Sequence, residues 1–169
     1  MEDRTLAWYA VTVKPRAEKA VAEALQKKGY ESFLPLYASQ REWSDRIKTI
    51  HMPLFSGYVF LHLDITRRLP VLKTPGVVSF VSLGAEPTPI ETSEIESIRL
   101  LMHTGLPVGP WPYLRAGQEV EVTRGALKGI RGILLKVKAQ LRLVLSLSLL
   151  QRSVVVEVDR DDVRPILRS

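Results

Sequence analysis

The side chains able to do chemistry are few and scattered. The three histidines, His51, His62 and His103, fall in three different predicted elements, and none has a second histidine or a carboxylate at metal-ligand spacing. The 169-residue chain has no cysteine, which removes disulfides, thiolate nucleophiles and cysteine zinc sites together. No G-x-S-x-G elbow, Walker loop or dinucleotide fingerprint occurs, and the acidic residues are scattered and mostly neutralised by basic neighbours, as on a solvated surface. The chain therefore reads as a non-enzyme with no metal and no cofactor.

Surfaces remain as the carriers of function. Trp8-Tyr9 and the run from Pro53 to Phe60 hold five of the twelve aromatic residues in two short segments. That is more aromatic surface than one core face needs, and it points to a groove for an apolar partner; plain core packing is the simpler account of Trp8 or Phe55 alone. Lys14, Arg16 and Lys19 surround the start of a predicted helix, while Arg41, Arg46 and Lys48 lie in a charged excursion. Both sets suit phosphate contacts, with ordinary solvated charge as the alternative. A third feature runs from Gly117 to Ile133, where glycines after a strand permit a turn. Such a turn would expose Leu127 and Ile130 as an apolar knob between Arg124, Lys128 and Arg131, or else be a plain hairpin.

The elements that must position these residues follow from the hydrophobic period. Leu6 to Val13 is a β-rich run apolar on both faces, suited to a buried strand. Ala17, Ala20, Val21, Ala24 and Leu25 form one stripe of an amphipathic helix, with Pro15 near its start and Gly29 at its end. Ser32 to Tyr37 and Gly57 to Leu63 read as strands, separated by an exposed hairpin or loop over Ser39 to Lys48. Thr66 to Thr74 reads as a short helix that tolerates Pro70 only in its first turn, and Gly76 opens a further strand. Ile95, Ile98, Leu101 and Met102 mark a second amphipathic helix capped by Thr92 or Ser93. The expected result is a small α+β layer of two helices and about four strands.

From His103 to Tyr113, three prolines and two glycines break every pattern, which places a linker at 104–113 between domains at 1–103 and 114–169. Beyond it the period becomes two: Val120 and Val122, then Ile133, Leu135 and Val137, the leucines from 141 to 149, and Val154, Val156 and Val158. Four or five short antiparallel strands in so few residues are expected to close as a small barrel.

Net charge is +6 with pI about 9.7. Residues 1–103 hold 13 basic and 12 acidic residues, whereas residues 104–169 hold 11 and 6, so the excess lies in the second part and suits an anionic partner. The opening Met1-Glu2-Asp3-Arg4 is acidic with no apolar run behind it, unlike a secretory signal. The greasiest stretch, Leu141 to Leu150, has ten residues where a membrane span needs about 20. A soluble, cytoplasmic, monomeric protein without a membrane partner is expected.

W-Y-A-V-x-V-K-P-R-x-E-x-x-V over residues 8–21, P-L-F-S-G-Y-V-F over 53–60, T-P-G-V-V-S-F-V over 74–81 and P-T-P-I over 87–90 together resemble the N-terminal (NGN) domain of the NusG family of transcription elongation factors. Residues 117–132 resemble its KOW motif, and the resemblance runs on through 142–158. It implies an NGN-type antiparallel sheet flanked by helices, followed by a small SH3-like KOW barrel. It also implies an antitermination factor that rides on RNA polymerase. Tyr58, Phe60 and Phe80, supported by Trp8 and Phe55, would hold the clamp helices of the polymerase's largest subunit. Thr66, Arg67 and Arg68 match the segment that touches the gate loop in RfaH-type relatives, and Lys14 and Arg16 match positions near the non-template DNA strand. Leu127 and Ile130 match the tip through which the second domain docks on a small-subunit ribosomal protein or on Rho. The P-L-F-S-G-Y-V-F wording looks more like specialised antiterminators of polysaccharide operons than the housekeeping factor; a ribosome-associated KOW protein binding RNA is the rival of another class.

Overall fold

The computed structural model describes residues 6–167. The opening tetrapeptide on which the leader reading rests lies outside them. Among the described residues no helix is long and apolar enough to cross a membrane. The chain divides into two compact units, one built from residues 1–35 and 55–95 and the other from 36–54 and 96–169.

The first unit centres on an antiparallel sheet of β1 (Leu6–Val13), β2 (Glu31–Phe33), β5 (Tyr58–Asp64) and β6 (Val77–Phe80), in the order β2-β5-β1-β6. Tyr9, Val11, Val59, Leu61 and Phe80 lie on one face and form the core with Val21 and Leu25 of α1 (Glu18–Lys27) and Val71 of α2 (Leu69–Leu72). The stripe of α1 sits slightly off the expected one: Ala20 is exposed and Ala22 packs on the core. A turn of 100° per residue leaves positions at the stripe edge free to go either way. The helix ends where predicted, at Gly29 with φ 90°, as Tyr30 N–H donates to Leu25 O and Gly29 N–H to Gln26 O. The predicted helix over 66–74 is two pieces, a 3₁₀ turn over Ile65–Arg67 and then α2, with Pro70 in the first turn.

Pro35 ends β2, so the strand expected over 32–37 is split, and Leu36 begins a separate hairpin. Its arms are β3 (Leu36–Trp43) and β4 (Arg46–Pro53), joined by Ser44-Asp45. The helix α3 (Thr92–His103) buries Ile95, Ile98 and Leu101. The Glu91 carbonyl accepts from the N–H groups of Glu94 and Ile95, which makes Glu91 the cap in place of Thr92 or Ser93.

The second unit contains β7 (Val108–Trp111), β8 (Gln118–Val122), β9 (Arg131–Val137), β10 (Gln140–Leu147), β11 (Arg152–Glu157) and β12 (Val163–Pro165). They form one six-stranded antiparallel sheet in the order β12-β8-β9-β10-β11-β7, the α+β architecture being completed by the sheets and helices described above. One face carries the alternating Leu143, Leu145, Val154 and Val156. The opposite face also buries Ile133, Val144 and Val155, with Trp111 and Leu114 packed against them. Trp111 arrives there on β7, a strand formed inside the Pro/Gly-rich segment 104–113. Within this same unit β3 packs against β7.

Candidate functional site

The register of the first sheet sorts the aromatic residues. Trp8 pairs with His62, Ala10 with Phe60 and Thr12 with Tyr58, while Phe33 pairs with Phe60 across β2, so these side chains share the face opposite α1. The rings are closely packed: Phe55 meets Phe60 edge-on at 5.5 Å, Trp8 stacks on His62 at 5.0 Å, and Trp8 meets Phe33 edge-on at 6.3 Å. Glu31 Oε2 lies 3.0 Å from His62 Nδ1 at the margin. Trp8 at 3% and Phe60 at 1% exposure are buried, as is Phe55, whereas Tyr58 is only half-buried. Phe80 is on the other face: it pairs with Val11 and meets Tyr9 edge-on at 6.1 Å inside the helix-covered core. The structure thus brings Trp8, Phe55, Tyr58 and Phe60 together and leaves Phe80 apart from them.

The margin of this sheet carries Thr66, Arg67 and Arg68. Thr66 donates through both its N–H and its hydroxyl to Asp64 Oδ1, at 3.0 and 2.7 Å. The Arg67 carbonyl accepts from the Tyr30 hydroxyl at 2.9 Å, and Arg68 Nη1 pairs with Glu86 at 3.2 Å. The backbone here is pinned while the Arg67 side chain remains exposed.

Lys14, Arg16 and Lys19 are all exposed. Ala17 N–H donates to Lys14 O at 3.0 Å, closing a turn with Pro15 second and Arg16 third at φ 65°. A left-handed third residue is usually glycine, so an arginine there is held at a cost. Helix α1 then presents Glu18 inward, where its buried carboxylate accepts from the Gly57 N–H at 3.2 Å. That bond ties the helix start to the glycine turn leading into Tyr58, a role that no spacing rule in the sequence reveals.

The hairpin assembles the other cations. Trp43 pairs with Arg46 and Arg41 with Lys48, so all four residues share one face, and Lys48 Nζ sits 5.7 Å from the centre of the Trp43 ring. Glu42 pairs with Ile47 on the opposite face, and Asp45 lies in the turn. Trp43 went unmarked in the sequence, although the alternation R-E-W before the turn and R-I-K after it carries the signal.

The loop from Thr123 to Ile130 differs from the expected knob. Leu127 at 5% and Ile130 at 3% exposure are buried. Val122 N–H donates to Ile130 O and Gly129 N–H to Val122 O, with Ile130 N–H bonded to Leu127 O, so the loop folds back over its own apolar residues. Gly125 and Gly129 supply the positive φ, at 87° and 92°. Leu127 lines an open pocket of about 680 Å³ with Arg124, Lys136, Arg160 and Asp162. Arg124, Lys128 and Arg131 are exposed. Arg124 Nε donates to Asp162 Oδ1 at 2.6 Å, and that bond raises the guanidinium above its ordinary value. Glu121 bridges Arg164 at 2.8 Å and Arg131 at 3.5 Å, and its carboxyl is lowered, first by the hydrogen bond from Arg164.

Comparison with known proteins matches residues 6–99, more than half the chain and the whole of the aromatic face, to the family model of the transcription termination factor NusG. The chain belongs to the NusG family. Among relatives, NusG of Campylobacter jejuni, named a transcription termination/antitermination protein, is 26% identical over 95% of this chain and 97% of its own length. NusG of Lactococcus lactis is 25% identical over 98% of this chain and 99% of its own, and NusG of Thermus thermophilus 25% over 92% and 96%. A solved structure of Thermotoga maritima NusG, concerned with its domain interaction, aligns with a TM-score of 0.61 at 22% identity over 96% of this chain and 98% of that one. That likeness agrees with the NusG-type α+β fold described above.

Proposed function

We propose that the chain is a non-catalytic transcription elongation and antitermination factor that holds RNA polymerase through the aromatic face of its first sheet. The family match over residues 6–99 carries this reading. Residues 1–103 form the polymerase-binding part. Tyr58 meets the clamp helices of the largest subunit, with the buried Trp8, Phe55 and Phe60 holding the same face of the sheet in shape, and Thr66, Arg67 and Arg68 face the gate loop. Lys14, Arg16, Lys19, Arg41, Arg46 and Lys48 contact nucleic acid, chiefly phosphates of the exposed non-template strand. Residues 114–169 form the KOW part and recruit a ribosomal or termination partner through Arg124, Lys128 and Arg131. Holding the clamp helices and the gate loop together favours the closed clamp by binding it better than the open one, which is how a ligand without catalytic groups shifts an equilibrium.

Tyr58→Ala in the full chain tests the assignment, because Tyr58 is the half-buried member of the cluster; truncating Phe60 instead would cost about 3–5 kcal/mol of folding stability. We expect binding to core elongation complexes to fall at least tenfold with an unchanged circular dichroism spectrum, and retained binding would refute the face. The wording P-L-F-S-G-Y-V-F supports an operon-restricted factor. The names of the three relatives favour the general factor instead. Pause suppression confined to one leader sequence supports the first; equal suppression on unrelated templates supports the second.

A further inference from the structure

We infer that the β3–β4 hairpin is a binding arm for single-stranded polynucleotide, in which Trp43 stacks on a base while Arg41, Arg46 and Lys48 hold the flanking phosphates. The inference rests on the nucleic-acid reading of those three cations and adds the residue on which a base stacks. The charges are sorted by face. All three cations and Trp43 fall on one side of the ribbon, Glu42 falls on the other, and Asp45 sits in the turn. A ribbon that only needed solvation has no reason to segregate its signs in this way. Trp43 is 56% exposed at the tip, where a large aromatic ring gains nothing from a core. Its ring lies beneath Lys48 Nζ at 5.7 Å, which places a cation beside any base stacked there.

Geometry narrows the ligand class. Side chains on one face of a strand recur about every 7 Å, so Arg41 and Trp43 follow one another at a step that a stretched nucleotide chain can match. A stacking ring needs an unpaired base with a free π-face, which a duplex does not offer along its length. Base identity matters little to stacking, so affinity rather than sequence specificity is the expected output. DNA and RNA share this chemistry.

The test is titration of the full chain with a twelve-residue oligo-dT, an oligo-U of equal length and a blunt DNA duplex of equal length, read by tryptophan fluorescence and by anisotropy of the labelled strand. The Trp43→Ala, Trp43→Phe and Arg41→Gln/Lys48→Gln variants run alongside. Trp43 lies on the surface, so its variants are expected to keep the wild-type fold, checked by circular dichroism. We expect single strands to quench the emission, Trp43→Ala to abolish the quench and weaken binding about 5- to 100-fold, and Trp43→Phe to retain most affinity. The double charge variant should flatten the salt dependence by between one and two released counterions. The preferred single strand, dT or U, names the natural source. If the charge variant weakens binding while Trp43→Ala does not, or if duplex binds as tightly as single strand, stacking is overturned and the phosphate reading stands. If no oligonucleotide binds at low salt, both are overturned.

Discussion

Replacing Gly132 by alanine probes the second sheet where a side chain on β9 would meet the backbone of β10. Gly132 lies on β9 and pairs with Val120 of β8, and a Cβ built there meets the Val144 carbonyl oxygen of β10 at 2.6 Å and Leu143 Cδ1 at 2.9 Å. The leucine methyl can rotate away. The carbonyl oxygen belongs to the backbone of a strand hydrogen-bonded on both sides, so β10 as a whole has to shift by several tenths of an ångström. Overpacking of that kind costs about 1–3 kcal/mol, and a stretched or broken ladder bond adds about 1 kcal/mol. The expected loss is therefore about 2–4 kcal/mol, or roughly 5–15 °C in melting temperature for a chain of this length. Gly109→Ala is the matched control, because no atom lies within 4 Å of its Cβ and its φ is outside the left-handed region; there the change should stay within about 0.5 kcal/mol or be slightly stabilising. Urea denaturation of the full chain, followed by circular dichroism, gives both values. Equal stability of the two variants would refute the close approach of β9 and β10.

Arg16→Gly removes a side chain from a left-handed turn position, so folding stability should change by less than about 1 kcal/mol, relief of strain being offset by a looser unfolded chain; nucleic-acid affinity should still fall, with a salt slope smaller by about 0.7 for a single strand. Thermal melting beside anisotropy reads both, and a large loss of stability would contradict the turn assignment. Glu18→Ala leaves the Gly57 N–H without its acceptor and should cost about 1–3 kcal/mol in urea denaturation; a neutral result would show that the carboxylate does not brace the turn before Tyr58. The carboxyl of Glu121 is lowered chiefly by its bond to Arg164, so its contribution is complete above the ordinary carboxylate range and is lost as pH falls through the lowered value. Arg164→Gln should raise the Glu121 titration midpoint in an NMR carboxyl titration more than Arg131→Gln does, and the reverse order would contradict the 2.8 and 3.5 Å geometry.

Much of the fold was legible because the hydrophobic period is strong where the sheets are. Leu6 to Val13 carries apolar residues on both faces and is the strand that both β5 and β6 flank. The leucines of 141–147 alternate and form β10. What failed to show depends on partners distant in sequence. The burial of Val144 and Val155 needs Trp111, which local pattern assigns to a linker, and Leu114 just beyond it. Phe80 and Tyr58 look equivalent as aromatic residues in strands, yet a pairing register decides that they lie on opposite faces. The loop at 123–130 shows the same limit from the other side: glycines announce the turn, but only its bonds back to Val122 reveal that Leu127 and Ile130 point inward.

The chain passes between its two compact units at residues 35/36, 54/55 and 95/96, because the β3–β4 hairpin belongs with the second unit. The modules that a gene could exchange are therefore not the two halves that the sequence presents. A fusion made at residue 103 between relatives would join one parent's hairpin to the other parent's β7, strands that pack together in the native protein. Recombinants that move residues 36–54 along with the C-terminal part keep that pairing intact, so tolerance of chimeras should follow the compact units and not the linear boundary.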